Sequence, residues 1–299
     1  MYCALDIGGT QIKQAYVTKE GELSDVKTTD TPKTKQQFLA CIENILNELP
    51  DTCQGVGISC PGKIDTTTKT VYHGGSLTFL DHFSFADFFE KIGCTLPVAV
   101  QNDGKAAILG EYWLGSLQGI RQAVGLTLGT GVGGGLLVDG KLLEGKNFQA
   151  GEFSFILNHP SLPDKQVMTG AQLSAARFIK QAARLLELED ITDGQTVFEH
   201  LNKNSSKSLY DLFEGYCFQI ASLLFNLQCI FDPEKIVIGG GISAQPLLIT
   251  EINRQYAKIL NHDAFYQQTF TPVVIEACQF QNHANCLGAV YALRTELSS

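Results

Sequence analysis

Four short apolar runs in this chain each end at a glycine cluster, and that grammar constrains the fold more than any other feature. They are Tyr2–Ile7 into Gly8-Gly9-Thr10, Gly55–Ser59 into Pro61-Gly62, Ala123–Leu128 into Gly129–Gly135, and Lys235–Ile238 into Gly239-Gly240-Gly241. About five β-branched and aliphatic residues stopped by glycine predict a buried strand whose end holds a ligand. The first and third continue as hairpins, through Gln11–Thr18 and through Gly135–Val138 up to Asp139-Gly140. Two copies of strand, phosphate-sized turn and returning strand, about half the chain apart, suggest a duplicated domain around a cleft.

Helical patterns fill the intervals. Gln36–Leu49 places Phe38, Ile42, Ile45, Leu46 and Leu49 on one stripe, and Pro50 is expected to stop it. Gly104–Leu114, Gly170–Leu188, Leu209–Phe231 and Leu247–Leu260 read the same way, so the chain is mixed α/β. Thr28–Lys35, His159–Gln166 and Asn202–Ser208 are polar and predict loops.

Composition narrows the class. A length of 299 residues suggests two domains and is ample for a buried core. A net charge of −9 argues against a nucleic-acid partner, which needs clustered Lys and Arg, but not against ATP held by backbone amides. The nine cysteines are scattered without a C-x-C or C-x-x-C pair, which fits reduced thiols in a cytosolic protein. The amino terminus lacks a signal-peptide pattern, and no apolar run approaches the ~20 residues of a membrane span. A cytoplasmic protein is expected, without a membrane partner.

Gly129-Thr130-Gly131-Val132-Gly133-Gly134 has the spacing G-x-G-x-x-G, but a strand follows it where a dinucleotide site requires a helix. What survives is a loop of unhindered N–H groups suited to a phosphate, or else glycines serving a tight hairpin alone. The P-loop signature is absent. Asp6-Ile7-Gly8-Gly9-Thr10 puts a carboxylate at a strand end before a second such turn; it could hold hydrated magnesium or simply make an Asx turn. Asp103, in Gln101-Asn102-Asp103-Gly104, falls at a strand-to-helix junction. There it is either an N-cap or a general base for an alcohol; a free aspartate, with a pKa of about 3.9, is already ionised at neutral pH. Glu152 leads into the apolar Phe153–Leu157 and could accept hydrogen bonds from sugar hydroxyls. The histidines have no spacing that suggests a metal site or a triad.

Taken in order, these motifs resemble the ROK (repressor, open reading frame, kinase) sugar kinases, members of the actin-like ATPase superfamily. Asp6–Thr10 with Lys13 resembles the family's first phosphate motif, and Gly57–Gly62 with Asp65 its sugar-side loop. Asn102-Asp103 resembles its sugar-binding Asn and catalytic Asp, and Leu128–Gly135 its second phosphate motif. Ala150-Gly151-Glu152 resembles the segment with its sugar-binding Glu, and Asp232-Pro233 through Gly239-Gly240-Gly241-Ile242-Ser243 its adenosine motif. The chain departs from the pattern too. Phe155 stands where most members carry His, and Lys105 where Asn is common. The family's second sugar-contacting Glu has no clear equivalent near Val167–Ala171. No cysteine occurs between Cys94 and Cys217, so the usual zinc knot is missing and structural zinc is not expected. Similar zinc-free members include β-glucoside kinases.

The resemblance implies an α/β, actin-like (ribonuclease H-like) fold of two duplicated domains around a cleft. The smaller is expected over residues 1–115, completed by a helix in 286–299, and the larger over 116–285. It implies ATP-dependent phosphorylation of a sugar hydroxyl, O6 of a hexose or β-glucoside, with Asp103 as general base. Asn102, Glu152, Gly62 and Gly75 are expected at the sugar. Asp6, Gly8, Gly9, Thr10, Lys13, Gly129, Thr130, Gly131, Gly133, Gly240, Gly241 and Ser243 are expected at ATP, with Asp6 on Mg2+ through water. The expected partners are a small-molecule sugar and ATP, and a homodimer is compatible. Against these stands a non-catalytic sugar sensor on the same fold. The family's repressors carry a helix-turn-helix before the first phosphate motif, and none is expected here, with Asp6 near the amino terminus. Glucokinase and N-acetylmannosamine kinase are the alternatives within the family.

Overall fold

The computed structural model describes residues 1–158, 167–280 and 283–298. The predicted loop His159–Gln166 lies outside the described residues. The first part of the chain runs β1 (Tyr2–Ile7), β2 (Gln11–Val17), β3 (Leu23–Asp30), α1 (Lys35–Asn47), β4 (Val56–Cys60), β5 (Lys63–Asp65), β6 (Thr70–His73), β7 (Phe83–Ser84), α2 (Phe85–Lys91), β8 (Val98–Asn102) and α3 (Asp103–Leu114). Then come β9 (Ala123–Leu128), β10 (Val132–Val138), β11 (Lys141–Leu142), α4 (Thr169–Gln172), α5 (Ala175–Leu185), α6 (Gly194–Asn202) and α7 (Lys207–Phe231). The last elements are β12 (Lys235–Gly239), α8 (Pro246–Leu260), α9 (Ala264–Thr269), β13 (Val274–Ala277) and α10 (Ala284–Leu297).

These elements form two compact units. The first comprises Met1–Gln118, Glu144–Ala150 and Asn282–Ser299; the second comprises Gly119–Leu143 and Gly151–Gln281. Each unit holds a five-stranded sheet, ordered β3-β2-β1-β4-β8 in the first and β11-β10-β9-β12-β13 in the second. In both, three antiparallel strands are extended by two parallel ones, so the topology is duplicated. The first unit also carries a small sheet, β5-β6-β7.

The local chemistry explains most element boundaries. Thr34 caps α1 by accepting from the Gln37 N–H, and Phe38, Ile42 and Leu46, spaced by one turn, are buried against β1 and β4 side chains such as Leu5 and Ile58. The helix ends at Asn47, before Pro50 is needed to stop it. In the second unit Phe178, Phe198, Phe213 and Leu224 from α5, α6 and α7 bury Val124, Leu126, Ile236 and Ile238 of the sheet.

The structure corrects three sequence expectations. Gly170–Leu188 is not one helix but α4 and α5, because Ser174 caps α5 through the Arg177 N–H. The turn after Leu128 is shorter than expected: the strand expected from Gly135 already begins at Val132, with Gly133 and Gly134 paired to Thr127 and Leu126. The loop predicted at Thr28–Lys35 is shorter, residues 31–34, because Thr28, Thr29 and Asp30 end β3 and Lys35 opens α1.

Candidate active site

The junction of β8 and α3 decides between the two readings of Asp103. Asn102, with extended backbone at φ −60° and ψ 143°, is the N-cap, and its Oδ1 accepts from the Lys105 N–H at 3.2 Å. Asp103 is therefore the first helical residue, and its Oδ1 accepts from the Gly104 N–H at 2.8 Å. Its carboxylate lies at the positive end of the helix dipole without carrying the cap. Asn102 Nδ2 donates to the Gly62 carbonyl at 2.9 Å, which leaves one amide hydrogen and one carbonyl lone pair for a ligand. Gly62 has φ +98°, and a Cβ there would stand 1.8 Å from the His73 carbonyl oxygen, so no other residue fits. Gly75 lies against Pro61 and Gly62. The first unit thus gathers Gly62, Gly75, Asn102 and Asp103.

Asp6 ends β1 opposite Lys13 of β2. Its Oδ1 accepts twice, from Ser59 Oγ at 2.9 Å and Asn285 Nδ2 at 3.0 Å. Both bonds fall on one oxygen, so Oδ2 is the atom suited to a hydrated divalent cation, a hard ion that prefers oxygen ligands. Behind this site lies the buried Cys60, whose thiol is pushed well above its ordinary range by burial and by the Asp103 and Asp6 carboxylates. The same cause, burial with Asp6 nearby, pushes Cys286 up to about 12, with Lys13 opposing. Both thiols stay protonated at neutral pH and neutralise nothing. The turn after β1 is braced by Thr31, whose Oγ1 donates to the Gly8 carbonyl at 2.7 Å and whose N–H donates to the Thr10 carbonyl at 2.8 Å. That leaves Gly9 and Thr10 exposed at its tip.

The second unit contains a cavity of about 750 Å³. Gly129 and Thr130 line one part, Gly241 and Ile242 another, and Ile179, Phe198 and other residues of α5 and α6 the remainder. Four residues expected at ATP thus fall on or beside one cavity: Gly129, Thr130, Gly241 and, one residue away, Gly240. The volume and the largely apolar walls suit a nucleoside. Ser243 is buried and spends its hydroxyl on the Gly240 carbonyl at 2.8 Å, so it shapes the turn. Gly133, also expected at ATP, pairs with Thr127 in the β10 ladder.

Glu152 caps a short 3-10 turn, Phe153–Phe155. Phe153 is buried, and Ser154 Oγ bonds both the N–H and the carbonyl of Val132, which pins the turn to β10. Phe155 is 62% exposed.

Sequence reasoning missed Ser59 and Asn285, which orient Asp6, and α6, which walls the cavity. Asn285 is 279 positions from Asp6, and no local signal joins them. Among the described residues, no three His, Cys, Asp or Glu stand together as a metal site, and no helix is long and apolar enough to cross a membrane.

Two sheets of identical order, each with a glycine turn after its first strand, define the actin-like ATPase class of folds. Within it, the chain belongs to the ROK family, which it matches over residues 2–296. It is 33% identical over 299 residues to a β-glucoside kinase of Listeria innocua, covering 96% of this chain and 95% of that one. Among solved structures, a ROK family glucokinase of Streptomyces griseus in complex with glucose and AMPPNP is similar at TM-score 0.81 and 26% identity, covering 98% and 99% of the two chains. A ROK family protein of Streptococcus pneumoniae in complex with sucrose shares the fold at TM-score 0.86 and 24% identity, with 99% of each chain covered.

Proposed function

We propose that this protein is a cytoplasmic ATP-dependent sugar kinase that phosphorylates a β-glucoside at a hexose hydroxyl, O6, with Asp103 as general base. The observation that carries the reading is the placement of Asp103, a first-turn carboxylate relieved of capping by Asn102, which itself bonds Gly62, the glycine against which Gly75 lies. In the reaction Asp103 accepts the hydroxyl proton as the sugar oxygen bonds to the γ-phosphorus, and the bond from that phosphorus to the bridging oxygen breaks, releasing ADP. Catalysis of this kind rests on positioning and charge stabilisation. Asn102, Glu152 and the glycine backbone at Gly62 and Gly75 serve the sugar, Gly8–Thr10, Lys13 and Gly129–Gly131 serve the phosphates, and the 750 Å³ cavity takes adenosine. Magnesium brought with ATP would add positive charge at the phosphates, and Asp6 would be the residue to hold it, through water.

The β-glucoside part rests on Phe155. Phe155 ends the short pinned turn that Glu152 opens, three residues after it, and its ring is exposed. A carboxylate for hydroxyls beside an exposed ring suits a sugar that carries an apolar substituent, and the likeness to the Listeria innocua β-glucoside kinase points the same way. The test is ATP consumption with glucose, cellobiose, an aryl β-glucoside, N-acetylmannosamine or no sugar. Sugar-dependent turnover is expected, with cellobiose or the aryl glucoside at least as good as glucose. Turnover independent of sugar would overturn the kinase reading, and reaction of free glucose or N-acetylmannosamine alone would overturn the β-glucoside part.

A further inference from the structure

The segment Glu144–Ala150 belongs to the first unit, although the chain on either side of it belongs to the second. Residues flanking the Asn102-Asp103 pair tie it down. Gln101 Nε2 donates to Glu144 Oε1 at 3.2 Å, and Lys105 Nζ donates to the Phe148 carbonyl at 3.0 Å. Glu144 is also held from its other oxygen, Oε2 accepting from Thr66 Oγ1 at 2.8 Å. Gln101 is buried, and its Oε1 accepts from the Asn102 N–H at 2.8 Å.

This chain of bonds runs in one direction. An ionised carboxylate can only accept, so Gln101 must turn its NH2 toward Glu144 and its oxygen toward the Asn102 N–H. Flipping that amide would set two acceptors together at one end and two donors at the other. The bond to a charged acceptor is the stronger kind, and successive bonds polarise one another. The last link grips the Gln101–Asn102 peptide, one residue before Asp103.

We propose that Glu144 is a positioning residue for phosphoryl transfer: through Gln101 it fixes the Asn102 backbone and so the place from which Asp103 meets the sugar hydroxyl. The inference rests on the sugar-kinase reading above. A shift of about 1 Å in a reacting group can cost about 10²-fold in rate, so a residue that touches no substrate can still govern kcat.

The test is a charge swap, read as kcat, KM for ATP and Tm. Gln101→Glu sets a second carboxylate against Glu144; kcat should fall by about 10- to 100-fold with KM for ATP little changed. Glu144→Gln can still accept from Gln101 while its amide donates to the Thr66 hydroxyl, and should stay near wild type. The double variant Gln101→Glu/Glu144→Gln restores all three bonds, with the middle one reversed, and should regain most of the lost kcat. A swap that restores Tm but not kcat would make Glu144 structural only and overturn the proposal. So would a folded Gln101→Glu protein with wild-type kcat. If Gln101→Glu does not fold, Glu144→Ala decides: a lower kcat at unchanged KM for ATP supports the role, and an unchanged kcat overturns it. These failures leave wild-type sugar-dependent turnover intact. Absence of that turnover would instead overturn the kinase reading, and this inference with it.

Discussion

Replacing Asp103 by Asn separates catalysis from folding because the structure assigns the helix cap to its neighbour. If Asp103 were the N-cap, Asn would serve equally well and nothing would change. Asn102 is the cap, so the substitution leaves capping untouched, and the amide oxygen of the new side chain can keep the bond from the Gly104 N–H. What is lost from folding is a charge at the helix N-terminus, worth about 0.3–1 kcal/mol. Tm should therefore move by no more than about 4 °C. Loss of general-base catalysis is worth about 10²–10⁴ in rate, which is about 2.7–5.4 kcal/mol in activation free energy. The catalytic effect exceeds the folding effect several-fold. Steady-state kinetics beside a thermal melt should show kcat down by that order, KM for ATP little changed and the fold intact. A folded Asp103→Asn protein that keeps most of its kcat would refute the assignment of the base, though not the fold.

Metal analysis of the purified protein should find no stoichiometric zinc, and activity should survive a strong chelator once magnesium is restored; one zinc per chain would refute this. Gly288→Ala should lower Tm, because a Cβ there would stand 1.7 Å from the Ala106 carbonyl oxygen where α10 crosses α3. Overpacking of this kind costs about 1–3 kcal/mol, against a helix-propensity gain of about 1 kcal/mol. An unchanged or higher Tm would mean the crossing yields more readily than its geometry implies.

The glycine grammar made the duplicated sheets legible because a buried strand and the turn that ends it are both local properties of sequence. It failed where glycine served a strand. Gly133 and Gly134 continue a run that begins as a turn, and only the pairing with Thr127 and Leu126 shows that they have entered β10. Asn102 and Asp103 were visible as a pair, but either residue makes a good cap. Only the extended backbone of Asn102 tells them apart. The apolar period from Gly170 to Leu188 concealed a break, because Leu173 and Ala175 keep the period while Ser174, a favoured N-cap, interrupts it at a single position. Its hydroxyl also donates to the Gly129 carbonyl at 3.3 Å, a contact across 45 positions that no window could register.

The residues that stayed hidden share one property: each acts through a partner remote in sequence. Asp6 was legible as a strand-end carboxylate, whereas Ser59 and Asn285, which orient it, are ordinary polar residues until β4 and α10 bring them to it. Glu144 is an exposed-looking acid in a polar stretch until Gln101 and Thr66 claim its two oxygens. Groups proposed to touch substrate announce themselves because their chemistry demands a particular residue beside a particular turn. Groups that orient them need only one correct hydrogen bond, which many residue types can supply from many places in the chain. A motif therefore locates where the chemistry is expected, while the angle at which it acts is set by contacts such as Gln101 to Glu144, which only the tertiary structure reveals.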